Sequence, residues 1–125
     1  MMAGTTVRSS RLHMLGAFVL MGSWAAFANR HHPMPAPLIA GVVQGTMSAC
    51  LTFVMKRIIE YFVARMPGAQ ALTYPPFLAV GVSILVLLSV HALVGTPEIL
   101  PTIIVPVLVT AVYSISYTIT LWRAR

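Results

Sequence analysis

The chain has 125 residues, of which 58% are hydrophobic and 8% charged, with a mean hydropathy of +0.89. A water-soluble domain carries charge on about a quarter of its residues, so this composition excludes a fully wetted surface and points to a bilayer as solvent. Eight Lys and Arg against two Asp and Glu give a formal charge of +6. These cations stand at the ends of apolar segments rather than along a basic stripe with interleaved aromatics, which suits anionic lipid headgroups and excludes nucleic acid as the partner.

About 30 Å of hydrocarbon requires about 20 helical residues, and in lipid each backbone N–H and C=O must be paired within its own segment. Four segments meet that length, at about 12–28, 37–55, 77–94 and 97–122. The fold class is therefore an all-α integral membrane protein, one domain over 1–125, built as a bundle of four transmembrane helices.

The first segment follows Arg8 and Arg11 and contains no acidic residue. That absence sets it apart from small multidrug resistance transporters, which rely on a membrane-embedded glutamate in their first helix. The stretch also has the form of a signal peptide, with a basic start, an apolar run and Ala26-Phe27-Ala28 as a cleavage site. Two readings stay open: an uncleaved first helix, or three helices after cleavage. The prolines of "NRHHPMPAP" end the segment. His31, His32 and Met34 are soft-metal donors by type, but adjacent side chains in an extended loop do not converge on one ion. We read a solvated loop and assign no metal site.

The second segment carries "IAGVVQGTMSACLT". Gly41 and Gly45 are four apart with Ala49 continuing the spacing, and Gln44, Ser48 and Thr52 fall near the same side. Small residues admit a second backbone and polar side chains then bond across the contact, so these six residues are read as a helix-packing face. The competing reading is a seam along a substrate path. Cys50, the only cysteine, excludes an internal disulfide. Beyond the span, "KRIIEYFVARM" is amphipathic and reads as an interfacial extension to about 66, with Lys56 and Glu60 as an i, i+4 pair.

In the third segment His91 is the one ionisable group well inside a span, and it reads as a neutral, hydrogen-bonded histidine or, on the sharper reading, a ligand for substrate or pigment. "GTPE" then assigns Gly95 as helix stop, Thr96 as N-cap and Pro97 as first residue of the next helix. The fourth segment places Thr110, Tyr113, Tyr117 and Thr120 on one face, either bonded back to the helix or lining a polar path.

With the N terminus inside, Arg8, Arg11, Lys56, Arg57, Arg65, Arg123 and Arg125 share the cytoplasmic side and contact anionic lipid, while Arg30 lies opposite. Both termini are then cytoplasmic, and the location expected is a bacterial cytoplasmic (inner) membrane. No nucleophile–base pair, metal spacing or phosphate-cradling loop is present, so no catalytic residue and no cofactor are assigned. The function expected is a non-catalytic accessory or structural subunit, or a homo-oligomer, joined to other membrane subunits or to itself by helix packing. The alternative is a small oligomeric transporter or a flippase for a lipid-linked substrate.

Overall fold

The computed structural model of the protein describes residues 2–125, with side chains from Ser9 onward, so the Arg8 side chain lies outside the described residues. The described chain is all-helical: α1 Met2–Ala28, α2 Ala36–Arg65, α3 Gln70–Val94 and α4 Ile99–Ala124. The four contain stretches of 20, 30, 25 and 26 residues that are long and apolar enough to cross a membrane.

Three helix starts differ from expectation: α1 begins at Met2 rather than about 12, and the starts of α3 and α4 shift as well. α3 starts at Gln70, so Pro75 and Pro76 lie inside it instead of ending the preceding loop. They fall just past its first turn, where only two intrahelical donors are lost. α4 starts at Ile99 rather than Pro97, because Thr96 is not its N-cap. Thr96 instead completes the end of α3: Gly95 is left-handed at φ 79°, its N–H bonds Ala92 O, and the Thr96 N–H bonds His91 O at 3.0 Å. Both bonds close the Schellman pattern that glycine makes possible. The start of α4 is capped from the turn that follows α1, by Asn29 Oδ1 accepting the Glu98 N–H at 3.0 Å.

α2 packs against all three other helices, whereas among the described residues α1 and α3 make no close backbone approach. The α1–α2 crossing is a backbone contact. A Cβ placed on Gly22 would stand 2.8 Å from Gly41 O, and one on Gly45 would stand 2.8 Å from Phe18 O. Gly41 is similarly tight, at 3.0 Å from Gly22 O. On the other sides of α2 the contacts are between side chains at four-residue spacing. α3 buries Ala71, Pro75, Ala79, Ser83, Leu87 and His91, and α2 buries Leu51, Met55, Ile59 and Val63. Such rows are the i±4n ridges by which helices interlock. Leu51, Met55, Ile59, Val63, Ala79, Leu87 and Ile103 form the apolar core.

The apolar side of the amphipathic Lys56–Met66 stretch packs against the rest of the bundle. α2 continues through it without a break, and Ile59 and Val63 are buried. Arg125 Nη1 holds the end of α2 by donating to Val63 O at 2.8 Å and Met66 O at 2.7 Å, supplying charge to carbonyls that lack helical partners.

Because backbone atoms cannot rotate away, Gly45→Ala is expected to destabilise the fold by about 1–3 kcal/mol, the usual cost of overpacking. Gly81 in α3 has nothing within 4 Å of the point where a Cβ would stand, so Gly81→Ala gains helix propensity without conflict. Unfolding in mixed detergent measures both; equal stability of the two variants would contradict the backbone contact.

Candidate functional site

Gln44 projects from the first third of α2, on the buried face that it shares with Ala40 and Ser48, and that face meets α3 at His91. Gln44 and His91 are both fully buried. His91 Nε2 lies 2.8 Å from Gln44 Oε1, and His91 Nδ1 lies 2.7 Å from Thr96 Oγ1. The Gln44 Nε2–H group donates to Ser48 Oγ at 2.8 Å. With the amide in this orientation, Nε2 of the imidazole carries the proton and Nδ1 accepts from the Thr96 hydroxyl. Every donor then points the same way along the chain Thr96, His91, Gln44, Ser48, an arrangement in which each bond polarises the next.

Ser48 ends that chain at the wall of a cavity of about 340 Å³. The cavity lies between α1 and α4, backed by α2 and α3. Its apolar walls include Gly16 and Leu20 of α1, Leu51 of α2, Leu87 of α3 and Val109 of α4, and its polar groups are Ser48, Thr52, Thr110, Tyr113 and His13. Leu12, Leu20 and Val109 line it and are also exposed, so it opens sideways between α1 and α4. The same two helices are joined at their far ends, where Trp24 Nε1 donates to Pro101 O at 2.9 Å and Asn29 Nδ2 donates to Thr102 Oγ1 at 2.8 Å. His32 Nε2 and Glu98 Oε1, 3.0 Å apart, close that end further.

At the opposite end the Tyr117 hydroxyl donates to Glu60 Oε1 at 2.7 Å, and Arg57 Nη1 approaches Glu60 Oε2 at 3.5 Å. Tyr113 stacks on Tyr117, ring centres 5.5 Å apart. The expected Lys56–Glu60 pair is not formed. Glu60 turns to Tyr117 and Arg57, and Lys56 Nζ turns toward α1, where it donates to Ser10 Oγ at 3.3 Å.

The residues singled out from the sequence are therefore distributed over different surroundings. Gly41 and Gly45 lie on α1, with Ala49 half-buried nearby, while Gln44 and Ser48 turn toward His91. Thr52 bonds back to Ser48 O and lines the cavity. Thr110 and Tyr113 also line it, but His91 is enclosed within the polar chain, Tyr117 is engaged with Glu60, and Thr120 is exposed and bonded to Ser116 O. Arg11, Arg57, Arg65, Arg123 and Arg125 are at the surface to different degrees, and Lys56 is half-buried. Ser83, Ser114 and Thr118 are buried without a side-chain partner; a rotamer change brings such hydroxyls to the carbonyl one turn earlier, the bond Thr52 and Thr120 make. Gly22, Asn29, Thr96 and Ser10 belong to this set although sequence reasoning assigns none of them to a site. Gly22 and Ala26 repeat the four-residue spacing of Gly41 and Gly45, which is the one local signal that could have found a member of this set.

Among the described residues, no three His, Cys, Asp or Glu side chains gather where they could hold a metal ion. What the arrangement offers chemically is an apolar space with a few hydroxyls on its wall, a site for binding. No protein-family model, curated protein or solved structure matches the chain. Fold and site define a class: an all-helical protein with four helices long and apolar enough to span a membrane and a lateral cavity between the first and last.

Removing Gln44 leaves His91 Nε2 without a partner in a closed interior and takes from Ser48, at the cavity wall, the amide that donates to it. Gln44→Leu is expected to cost about 1–3 kcal/mol, the penalty for an unpaired buried polar group. The double variant Gln44→Leu/His91→Leu should cost less than the sum of the two single changes. A double-mutant unfolding cycle measures this, and strict additivity would show that the two side chains are not coupled.

Proposed function

We propose that this is a non-catalytic integral membrane protein that takes one apolar chain of a membrane lipid into the α1–α4 cavity and serves as a small carrier or flippase for a lipid-linked substrate. The observation that carries the reading is the cavity: its volume falls within the range of ligand pockets, its walls are apolar, and its mouth opens sideways. A sideways apolar mouth suits a chain that arrives through the bilayer, since a water-borne ligand would find no wetted approach. Along α1 the lining runs from Leu12 to Met21, about 14 Å at 1.5 Å per residue, which accommodates an extended stretch of acyl or prenyl chain.

The membrane setting is supported by the outer surface. Phe77 is 80% exposed and Leu93 is 88% exposed, and Leu100, Leu108 and Val112 are exposed with them. So extensive an apolar exterior is costly in water and neutral in lipid. The end that carries Lys56, Arg57, Arg65, Arg123 and Arg125 is assigned to the cytoplasm and Arg30 to the opposite side, as positive-inside bias in a bacterial inner membrane requires. The small-residue seam of α2 is filled by α1 of the same chain, so it does not recruit a separate subunit, and this favours a carrier over an accessory role.

Two experiments test the reading. A lipid with a photoactivatable acyl chain should label the lining stretches of α1 and α4 in the wild-type protein. Gly16→Phe should suppress that labelling, because its Cβ meets nothing within 4 Å and the ring fills the void without backbone conflict. Val112→Phe, on the outer face, should leave it unchanged; wild-type labelling confined to the outer face would eliminate the carrier reading. For topology, in a Cys50→Ser background, Arg30→Cys should react with an impermeant maleimide on intact cells and Arg123→Cys only after permeabilisation. The reverse pattern would invert the assignment.

A further inference from the structure

The cavity does not end in carbon at the end near Lys56. It shares His13, Thr52 and Tyr113 with a narrow polar cleft that is also bounded by Ser10 and Lys56. The cleft has room for about one water-sized group, 10 Å³. Lys56 is half-buried there, and among the described residues its ammonium has one hydrogen bond, to Ser10 Oγ at 3.3 Å, and no carboxylate partner. The sequence contains two acidic side chains, and both are engaged elsewhere: Glu60 with Tyr117 and Arg57, Glu98 with His32. A cation partly withdrawn from water without a counter-ion is unfavourable, and an anion that can be delivered to it gains correspondingly.

The geometry points to a lipid with a phosphate headgroup as the occupant of this site. Its apolar chain fills the space between α1 and α4, and its phosphate sits at the mouth of the cleft on Lys56 Nζ, with the Ser10 hydroxyl beside it and one oxygen entering the cleft. This inference rests on the reading of the cavity as a lipid-chain site and adds the headgroup to it. Apolar walls leading to an uncompensated cation at one end match an amphiphile whose chain and charge are separated in the same order. A ligand with a chain and no charge satisfies only the walls. A soluble phosphate ester satisfies only Lys56.

The test uses the full chain in nanodiscs with two probes carrying the same photoactivatable acyl chain, phosphatidic acid and diacylglycerol. Phosphatidic acid should label the α1 lining peptide about fivefold or more above diacylglycerol, the increment expected for one Lys–phosphate contact at a membrane surface. Lys56→Gln should bring phosphatidic acid labelling down to the diacylglycerol level, Lys56→Arg should retain the preference, and Arg123→Gln should not alter it. Excess glycerol 3-phosphate should leave labelling unchanged. Equal labelling by both probes in the wild type, or a preference that survives Lys56→Gln, overturns the phosphate assignment while the lipid-chain reading stands. Displacement by glycerol 3-phosphate assigns the cation to soluble phosphate esters and overturns the lipid assignment. Absence of α1 labelling by either probe overturns both.

Discussion

The backbone contact between α1 and α2 is the constraint on which the other features depend. Gly22, Gly41 and Gly45 let two helices meet with no side chain between them, and a side chain at any of the three would meet carbonyl oxygen. α1 is thereby committed to α2 and, among the described residues, makes no close backbone approach to α3. Among the same residues, the hydrogen bonds that tie its end to α4 are those of Trp24 and Asn29 with Pro101 and Thr102. Where those ties stop, the two helices stand apart, and the gap between Leu12–Met21 and Pro106–Tyr113 is the cavity. In lipid, apolar side chains gain little by leaving the bilayer for a protein interior, so association rests on close packing and a few interhelical hydrogen bonds. A single tight crossing beside an open gap is an economical outcome of those rules.

Polar groups are distributed by the same logic. In a low-dielectric interior an unpaired amide or imidazole is costly, and here each is given partners on a neighbouring helix or loop. Gln44 is satisfied by His91 and Ser48, His91 additionally by Thr96, and Asn29 by Ala25, Thr102 and the Glu98 N–H. Threonines on exposed faces bond to their own helix, as Thr120 does. The imidazole is thus enclosed as a strut between α2 and α3 and does not reach the cavity. Ser48 is the one residue that belongs to both, so the polar chain stiffens the cavity's rear wall at that point.

What is legible in the sequence is what depends on local spacing. Four apolar runs of sufficient length, the proline break after the first of them and the Gly95 stop are all properties of contiguous residues, and a helix covers each run. The close approach at Gly41 and Gly45 is legible for the same reason, because a four-residue interval returns to one side of a helix. Partner choice is not legible, since it is set by residues far apart in the chain. Thr96 has the composition of an N-cap, yet its hydroxyl goes to His91 because the Schellman turn brings it beside that ring. Lys56 and Glu60 have the spacing of a helical pair, yet Tyr117, 57 residues further on, offers the carboxylate a hydroxyl at 2.7 Å. The local interaction is worth only about 0.2–0.5 kcal/mol, little enough for one tertiary hydrogen bond to outcompete it.

That competition has a consequence at the site. By drawing Glu60 away from Lys56, Tyr117 leaves the ammonium without a carboxylate at the end of the cavity where, among the described residues, no hydrogen bond joins α1 to α4. The opposite end is sealed by Trp24, by Asn29 and by the pair of His32 with Glu98, and the chain's other carboxylate is engaged there. The bundle is therefore asymmetric along its axis in both packing and charge: tied and locally neutralised at the Arg30 end, gapped and cationic at the end where both termini lie. For the phosphate-bearing lipid proposed above, only one orientation between α1 and α4 sets its chain against carbon and its anion against a cation. The orientation is imposed by two acidic residues, each held by a partner from a distant part of the chain, and not by the hydrophobicity that made the four helices visible in the first place.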